Sequence, residues 1–178
     1  MKKNCLLLLA MVLLGTVGNA QNWKPVSAAI LFKTKMLGVS VDGRLGGFSG
    51  YIRFNPNDLA TAQFSGSVDA SSIDTDNSLR NKHLKEKEEF FHVSKFPSLK
   101  MKSLKVERDG PNFVGLFELT IKGITKQVRI PFTFKQEENQ AIFRGQATIN
   151  RKDWTIGGNT FGMSSDVTIS ILINAVQN

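Results

Sequence analysis

From about position 25 onward, apolar and polar residues alternate with a period of two, the pattern of strands that bury one face. Val26, Ala28, Ile30 and Phe32 share the first such face. Further strands are predicted over 39–45, 51–54 and 63–70, parted by Gly46-Gly47 and by the turn-forming Asn55-Pro56-Asn57-Asp58. After one interruption the alternation resumes over 99–106, 113–121, 128–134, 141–150 and 167–176, with Lys122-Gly123 marking a tight turn. It is cleanest in Phe117, Leu119 and Ile121, in Val128, Ile130, Phe132 and Phe134, and in Val167, Ile169, Ile171 and Ile173. The pattern predicts an all-β chain of eight or nine antiparallel strands, four of them before the interruption.

Strands in this number, with no set of helices to cover a sheet, favour closure into a barrel, which removes exposed edges. At about eight strands the interior either fills with side chains or holds one ligand. The inward positions are Ile30, Phe32, Phe64, Val68, Phe117, Leu119, Phe132, Phe134 and Phe143, with Phe90 added from the interruption. Thirteen Phe against one Tyr and two Trp make an interior poor in polar handles, so a ligand held there should be mostly hydrocarbon. A packed Phe core without a cavity is the competing arrangement. An outer-membrane barrel shares the alternation but needs girdles of Tyr and Trp, for which one and two residues are too few.

The interruption, 71–100, reads as a turn, a short helix and an aromatic anchor. Asp76 or Asn77 can cap the helix, Leu79 and Leu84 are expected on one face, and Phe90, Phe91 and Phe96 precede the stop at Pro97. Such a segment suits a plug or lid over an open barrel end. Between positions 80 and 105 eight Lys or Arg face three Glu, a net +5 out of +8 for the whole chain. In an exported protein that surplus points to head groups or a membrane surface rather than nucleic acid, although a solubilising face has the same composition.

Export itself is read from positions 1–20, where Lys2 and Lys3 precede an apolar run and small residues end at Gly18-Asn19-Ala20. That is the order of a secretory signal, too short to span a bilayer, and cleavage is expected after Ala20. The mature portion, 21–178, is then a single domain of net charge +6 in the periplasm or outside the cell. Cys5, the only cysteine, leaves with the signal, so neither a disulfide nor a thiolate site is expected.

The insert carries an SIDT turn, then Arg80, His83 and Leu84 as R-x-x-H-L, then Phe90-Phe91 and Phe96-Pro97. GLFELTIKGITKQV from Gly115 to Val128 and Asn150, Arg151, Asp153, Trp154, Ile156 and Gly157 supply two more motifs. Together they resemble the bacterial YceI-like family across nearly the whole mature chain. The resemblance implies an exported, lipocalin-like barrel, antiparallel and eight-stranded with a short helical insert, that binds a polyisoprenoid or related long-chain lipid. Arg80 and His83 would then meet its head group, and Arg151 could pair with Asp153 at the rim. The chain departs from the family pattern at Lys33, Thr34 and Lys35, where a histidine is frequent, at His92, where an acid follows the paired Phe, and at Asn81, where an aspartate is common. These changes suggest a different head group.

Catalysis finds little support. His83 and His92 are the only imidazoles, no serine sits in a strand-to-helix elbow, and the histidine spacing matches no recognised metal motif, so no cofactor is expected. The sequence reading is a lipid carrier, with a structural or stress-related interaction barrel lacking a stable ligand as the alternative. Contact with a membrane surface and formation of a homodimer are both compatible with it.

Overall fold

The computed structural model describes residues 21–178; the expected signal, 1–20, lies outside the described residues. Nine strands follow in order: β1 (Asn22–Met36), β2 (Val39–Leu45), β3 (Ser49–Arg53), β4 (Gln63–Asp69), β5 (Ser98–Asp109), β6 (Asn112–Ile121), β7 (Ile124–Glu137), β8 (Gln140–Asn150) and β9 (Asp166–Gln177). All pairings are antiparallel, and β1 closes the ring by pairing with β9. The nine strands fill eight places. On one side of β1, β2 pairs with residues 30–36 and β3 with Asn22 and Trp23, so the two are successive pieces of one strand broken at 46–48. The result is a closed eight-place antiparallel barrel with one short helix, α1 (Ser78–Glu86).

The up-and-down order sends four connections to one end and three to the other. One end gathers the β1–β2 turn, the long insert after β4, the Lys122-Gly123 turn and the segment 151–165. The other holds the 54–62 connection, the two remaining hairpin turns and the C-terminus. Lys122 and Gly123 adopt φ of 51° and 75°, the left-handed geometry expected for that two-residue hairpin.

Buried residues form two clusters, one toward each end. Toward the insert they are mainly aliphatic, including Val68, Leu99, Leu119, Ile121, Val128, Ile130 and Ile149. Toward the far end they include Trp23, Phe54, Phe113, Phe132 and Phe143. The outward faces are polar: on β7 they carry exposed Gln127, Arg129, Thr133 and Lys135. They lack the apolar band that a lipid-facing barrel wall requires.

Two local expectations change. The β1 register shifts between Pro25 and Ser27, leaving Val26 as the extra, exposed residue of a bulge rather than a member of the inward face. A proline cannot donate to a ladder, so a bulge is where a strand accommodates it. On α1 the Asn77 side chain caps the helix by accepting from the Arg80 N–H at 2.9 Å. Leu84 is buried but Leu79 is exposed, because a spacing of five turns the second residue well off the first one's face.

Candidate functional site

Aromatic packing closes the barrel end opposite the insert. Phe54, fully buried, sits at the centre of a tilted contact with Phe64 and edge-on contacts with Phe113, Phe132, Phe134 and Phe143, at centroid distances of 4.9–5.8 Å. Trp23 packs on Phe134 and Phe143 and donates its indole N–H to the Phe54 carbonyl at 2.9 Å, so the one polar atom of the plug is satisfied. Phe117 extends the packing, with its ring 6.0 Å from Phe64 and lying across Gly115. A Cβ at Gly115 would come within 2.2 Å of that ring, which explains the glycine. Of the two arrangements open to the inward Phe64, Phe117, Phe132, Phe134 and Phe143, a lined cavity or a packed core, this half of the barrel has the packed one. They point inward, but they pack against one another.

Open space lies nearer the insert. An apolar volume of about 100 Å³ is bounded by Ile30, Leu45, Phe48, Val68, Leu119 and Ile171, among others. Beyond it, between α1 and the β1–β2 hairpin, a larger cavity of about 600 Å³ is bounded by Phe32, Thr34, Met36, Val39, Val41, Leu84, Phe90 and Met163 on its apolar side. Asn77, Arg80, His83, Lys87 and Glu89 border it on the insert side. Phe32 is the inward residue of β1 between Ile30, which faces the inner volume, and Thr34, which faces the outer. The tip of its ring lies over its cross-strand partner Gly43, where a Cβ would approach to 2.2 Å.

The insert is seated by apolar contacts below and polar ones around. Leu84 is buried, while Phe90, Phe91 and Val93 pack on the aliphatic cluster, and Phe96 lies against Gly123. Arg44 of β2 forms ion pairs with Asp74 and with Asp76, the latter at 2.9 Å. Asn81 ties this turn together, accepting from the Thr75 N–H and hydroxyl at 2.9 and 2.7 Å and donating to Asp74 at 2.8 Å. Hydrogen bonds from Asn81 and the Asp76 N–H, together with Arg44, hold the Asp74 carboxyl below its ordinary pKa. The departure at Asn81 is thus accounted for by local structure: an amide both accepts and donates where a carboxylate would only accept.

The segment 151–165 forms the facing wall, and Arg151 organises it. This side chain is 3% exposed and donates to the backbone carbonyls of Ser164, Ile156, Gly158 and Met163. It does not pair with Asp153, which is exposed, so the expected rim ion pair gives way to a buried cation solvated by carbonyls. Desolvation lowers its pKa, yet an arginine remains charged. Trp154 anchors the same segment through its indole N–H to the Leu119 carbonyl at 3.1 Å.

Of the residues singled out from sequence, Ile30, Val68 and Leu119 border the inner volume, and Phe32, Phe90, Arg80 and His83 border the outer one. The Arg80 guanidinium and the His83 imidazole have no hydrogen-bond or ionic partner among the described residues. Sequence reasoning missed Phe54, Phe48, Met36, Val39 and Met163. Phe54 could have been found as the continuation of the inward face from Ile52; Met163 could not, because its segment has no period. Among the described residues no group of three His, Asp or Glu side chains is placed to hold a metal.

The sequence profile of the YceI-like domain matches residues 22–175, which takes in every strand of the barrel. This chain belongs to the YceI-like family. A UPF0312 protein of Pectobacterium atrosepticum is 28% identical over 190 residues, covering 99% of this chain and 98% of that one. Among solved structures, Burkholderia cenocepacia BcnA superposes with a TM-score of 0.79 at 23% identity, covering 84% of this chain and 96% of BcnA. A polyisoprenoid binding domain from Saccharophagus degradans, implicated in plant cell wall breakdown, gives a TM-score of 0.65 at 11% identity, covering 89% and 99%. The YceI-like barrel is thus the shared framework, and its insert-end cavities are where this chain has room for a ligand.

Proposed function

We propose that this protein is an exported, non-enzymatic carrier that holds a long apolar lipid, such as a polyisoprenoid, with its chain in the barrel and its head at the insert. The observation that carries this reading is the polarity gradient along the cavities: mostly apolar walls inside, then a mouth edged by Arg80 and His83, unpartnered among the described residues. A liquid water occupies about 30 Å³, so the inner volume holds roughly three water-sized groups and the outer one roughly twenty, which puts most of the room for a chain in the outer one. The family framework and the polyisoprenoid-binding name of the Saccharophagus degradans domain agree with such a ligand.

The aromatic plug favours a second reading, a packed barrel without a stable ligand, because half the interior is already filled. Native mass spectrometry of protein purified from its own host separates the two. A discrete added mass, lost on organic extraction and matching a long-chain lipid, is expected; repeated recovery of the bare chain alone would reject the carrier reading. The same spectrum tests export, since a mature chain should begin at Gln21.

A further inference from the structure

The surface around the cavity mouth carries an apolar patch of large, exposed side chains. Phe161 is 87% exposed, Val39 68%, Leu37 65% and Leu79 63%. They come from three separate segments, yet the contacts make one patch of them. Val39 and Leu79 border the 600 Å³ cavity, as do Met36, Thr160 and Met163. Leu37 donates its N–H to the Gly162 carbonyl at 2.7 Å, and its side chain lies over Gly162, beside Phe161. A Cβ at Gly162 would meet the Leu37 side chain at 2.2 Å, so the hairpin tip and the Phe161 loop are fitted to each other while their large side chains face out.

We propose that this mouth docks on an anionic phospholipid bilayer, with Phe161 and Leu37 entering the interface so that lipid passes between cavity and membrane without crossing water. This rests on the carrier reading. Exposed apolar patches at one site mark interaction surfaces, and aromatic and aliphatic side chains edged by cations are the composition of a membrane-interface contact. The edge here carries more cations than anions: Arg80 and Lys87 border the cavity against Glu89, and Lys35 stands next to Met36 on the hairpin. Lys87 is partly offset by Glu89 at 3.8 Å, but Arg80 and Lys35 have no ionic partner among the described residues, so their charge is available to lipid phosphates. Position adds the last argument. The patch surrounds the cavity mouth, and a hydrocarbon chain leaving there would otherwise expose its methylenes to water.

The test is co-sedimentation of the protein with vesicles of phosphatidylglycerol and phosphatidylethanolamine, and with vesicles of phosphatidylcholine alone. Binding to the anionic vesicles, weakened by salt, is expected. Phe161→Ser should reduce it by about tenfold, the loss corresponding to one large ring leaving an apolar environment. Because Phe161 is almost wholly exposed, that change should leave thermal unfolding unaltered. Phe161→Trp should shift its emission to the blue on adding vesicles, a signal that buried Trp23 and Trp154 do not give. Absence of binding, or binding indifferent to Phe161→Ser, overturns the proposal. So does a wild-type dimer that Phe161→Ser converts to monomer without changing vesicle binding, because the patch is then a contact between two copies. The native mass spectrum keeps the two readings apart: lipid carried without vesicle binding refutes docking alone, and vesicle binding without carried lipid refutes the carrier alone.

Discussion

Ile171→Phe gives a sharp test of the inner cavity, because its effect should reverse sign with lipid content. Ile171 borders the inner volume, and its neighbours across the sheet are Ile30 and Gly145, the latter already covered by Ile130, so the room for a larger ring is the volume itself. The space is about 100 Å³, and unfilled apolar volume costs about 24 cal/mol per Å³, so complete filling would return about 2.4 kcal/mol. One phenyl in place of a branched butyl group fills part of it. A gain of about 1 kcal/mol in lipid-free protein follows, or a melting temperature higher by about 2–4 °C for a chain of this size. In lipid-loaded protein the ring competes with the chain. A ligand present at a hundred times its Kd stabilises by about 2.7 kcal/mol, and the variant should forfeit most of that. Thermal unfolding before and after organic extraction, with lipid mass read by native mass spectrometry, measures both arms. Destabilisation of about 1–3 kcal/mol in the extracted protein would mean the ring is overpacked and the space is not there. Unchanged lipid mass would place the chain elsewhere.

Phe117→Trp supplies the contrast: buried at 4% exposure across Gly115, it should cost about 1–3 kcal/mol in thermal or denaturant unfolding with or without lipid. Arg151→Lys keeps the charge but cannot reach four carbonyls at once, and should lower stability by about 2–4 kcal/mol in denaturant unfolding. Arg80→Ala should leave stability unchanged and weaken retention of an anionic-headed lipid a few-fold, more at low salt than at high, in a fluorescent displacement assay. Acid should loosen the insert before the barrel. Asp74 and Asp69 have folded pKa values depressed by their hydrogen bonds, so their contribution is complete above the ordinary carboxylate value and lost as pH falls through the lower folded one. Amide chemical shifts of α1 should therefore move below about pH 4, and Asp74→Asn should abolish most of that change.

Much of the barrel is legible because a period of two survives any register: Phe117, Leu119 and Ile121 must share a face whichever strands flank them. The alternation says which side of the wall a residue occupies, but not how far along the axis. Phe132 and Ile130 are both inward, yet one falls in the aromatic plug and the other in the aliphatic half, and only the pairing of Phe132 with Phe113 and Gly145 fixes that height. Val26 was misplaced for a related reason, since one bulged residue at Pro25 shifts the phase and nothing in the apolar string announces it. Arg151 illustrates the opposite limit. Its neighbour Asp153 suggests an ion pair, whereas its partners are carbonyls up to thirteen residues away that come within reach only once 151–165 has folded back.

The two ends of the barrel are held by forces of different kind, and that difference bears on how a ligand enters. At the far end, burying one large aromatic side chain contributes about 1.5–3 kcal/mol, and Trp23, Phe54, Phe113, Phe132 and Phe143 are all buried in mutual contact. Opening there would break many such contacts together. At the other end the insert is seated by two buried side chains, Ile73 and Leu84, a few half-buried rings, and the exposed pairs of Arg44 with Asp74 and Asp76. Exposed ion pairs contribute little and are screened by salt, so this is the end with the lower cost of local opening. Passage from mouth to interior then meets Phe32, which is only half-buried and rests on Gly43, a contact that leaves the ring one bare surface to lie on and no side chain to hold it there. A Cβ at Gly43 would drive Phe32 off that surface, so the glycine is what lets the ring sit between the residues of the two volumes.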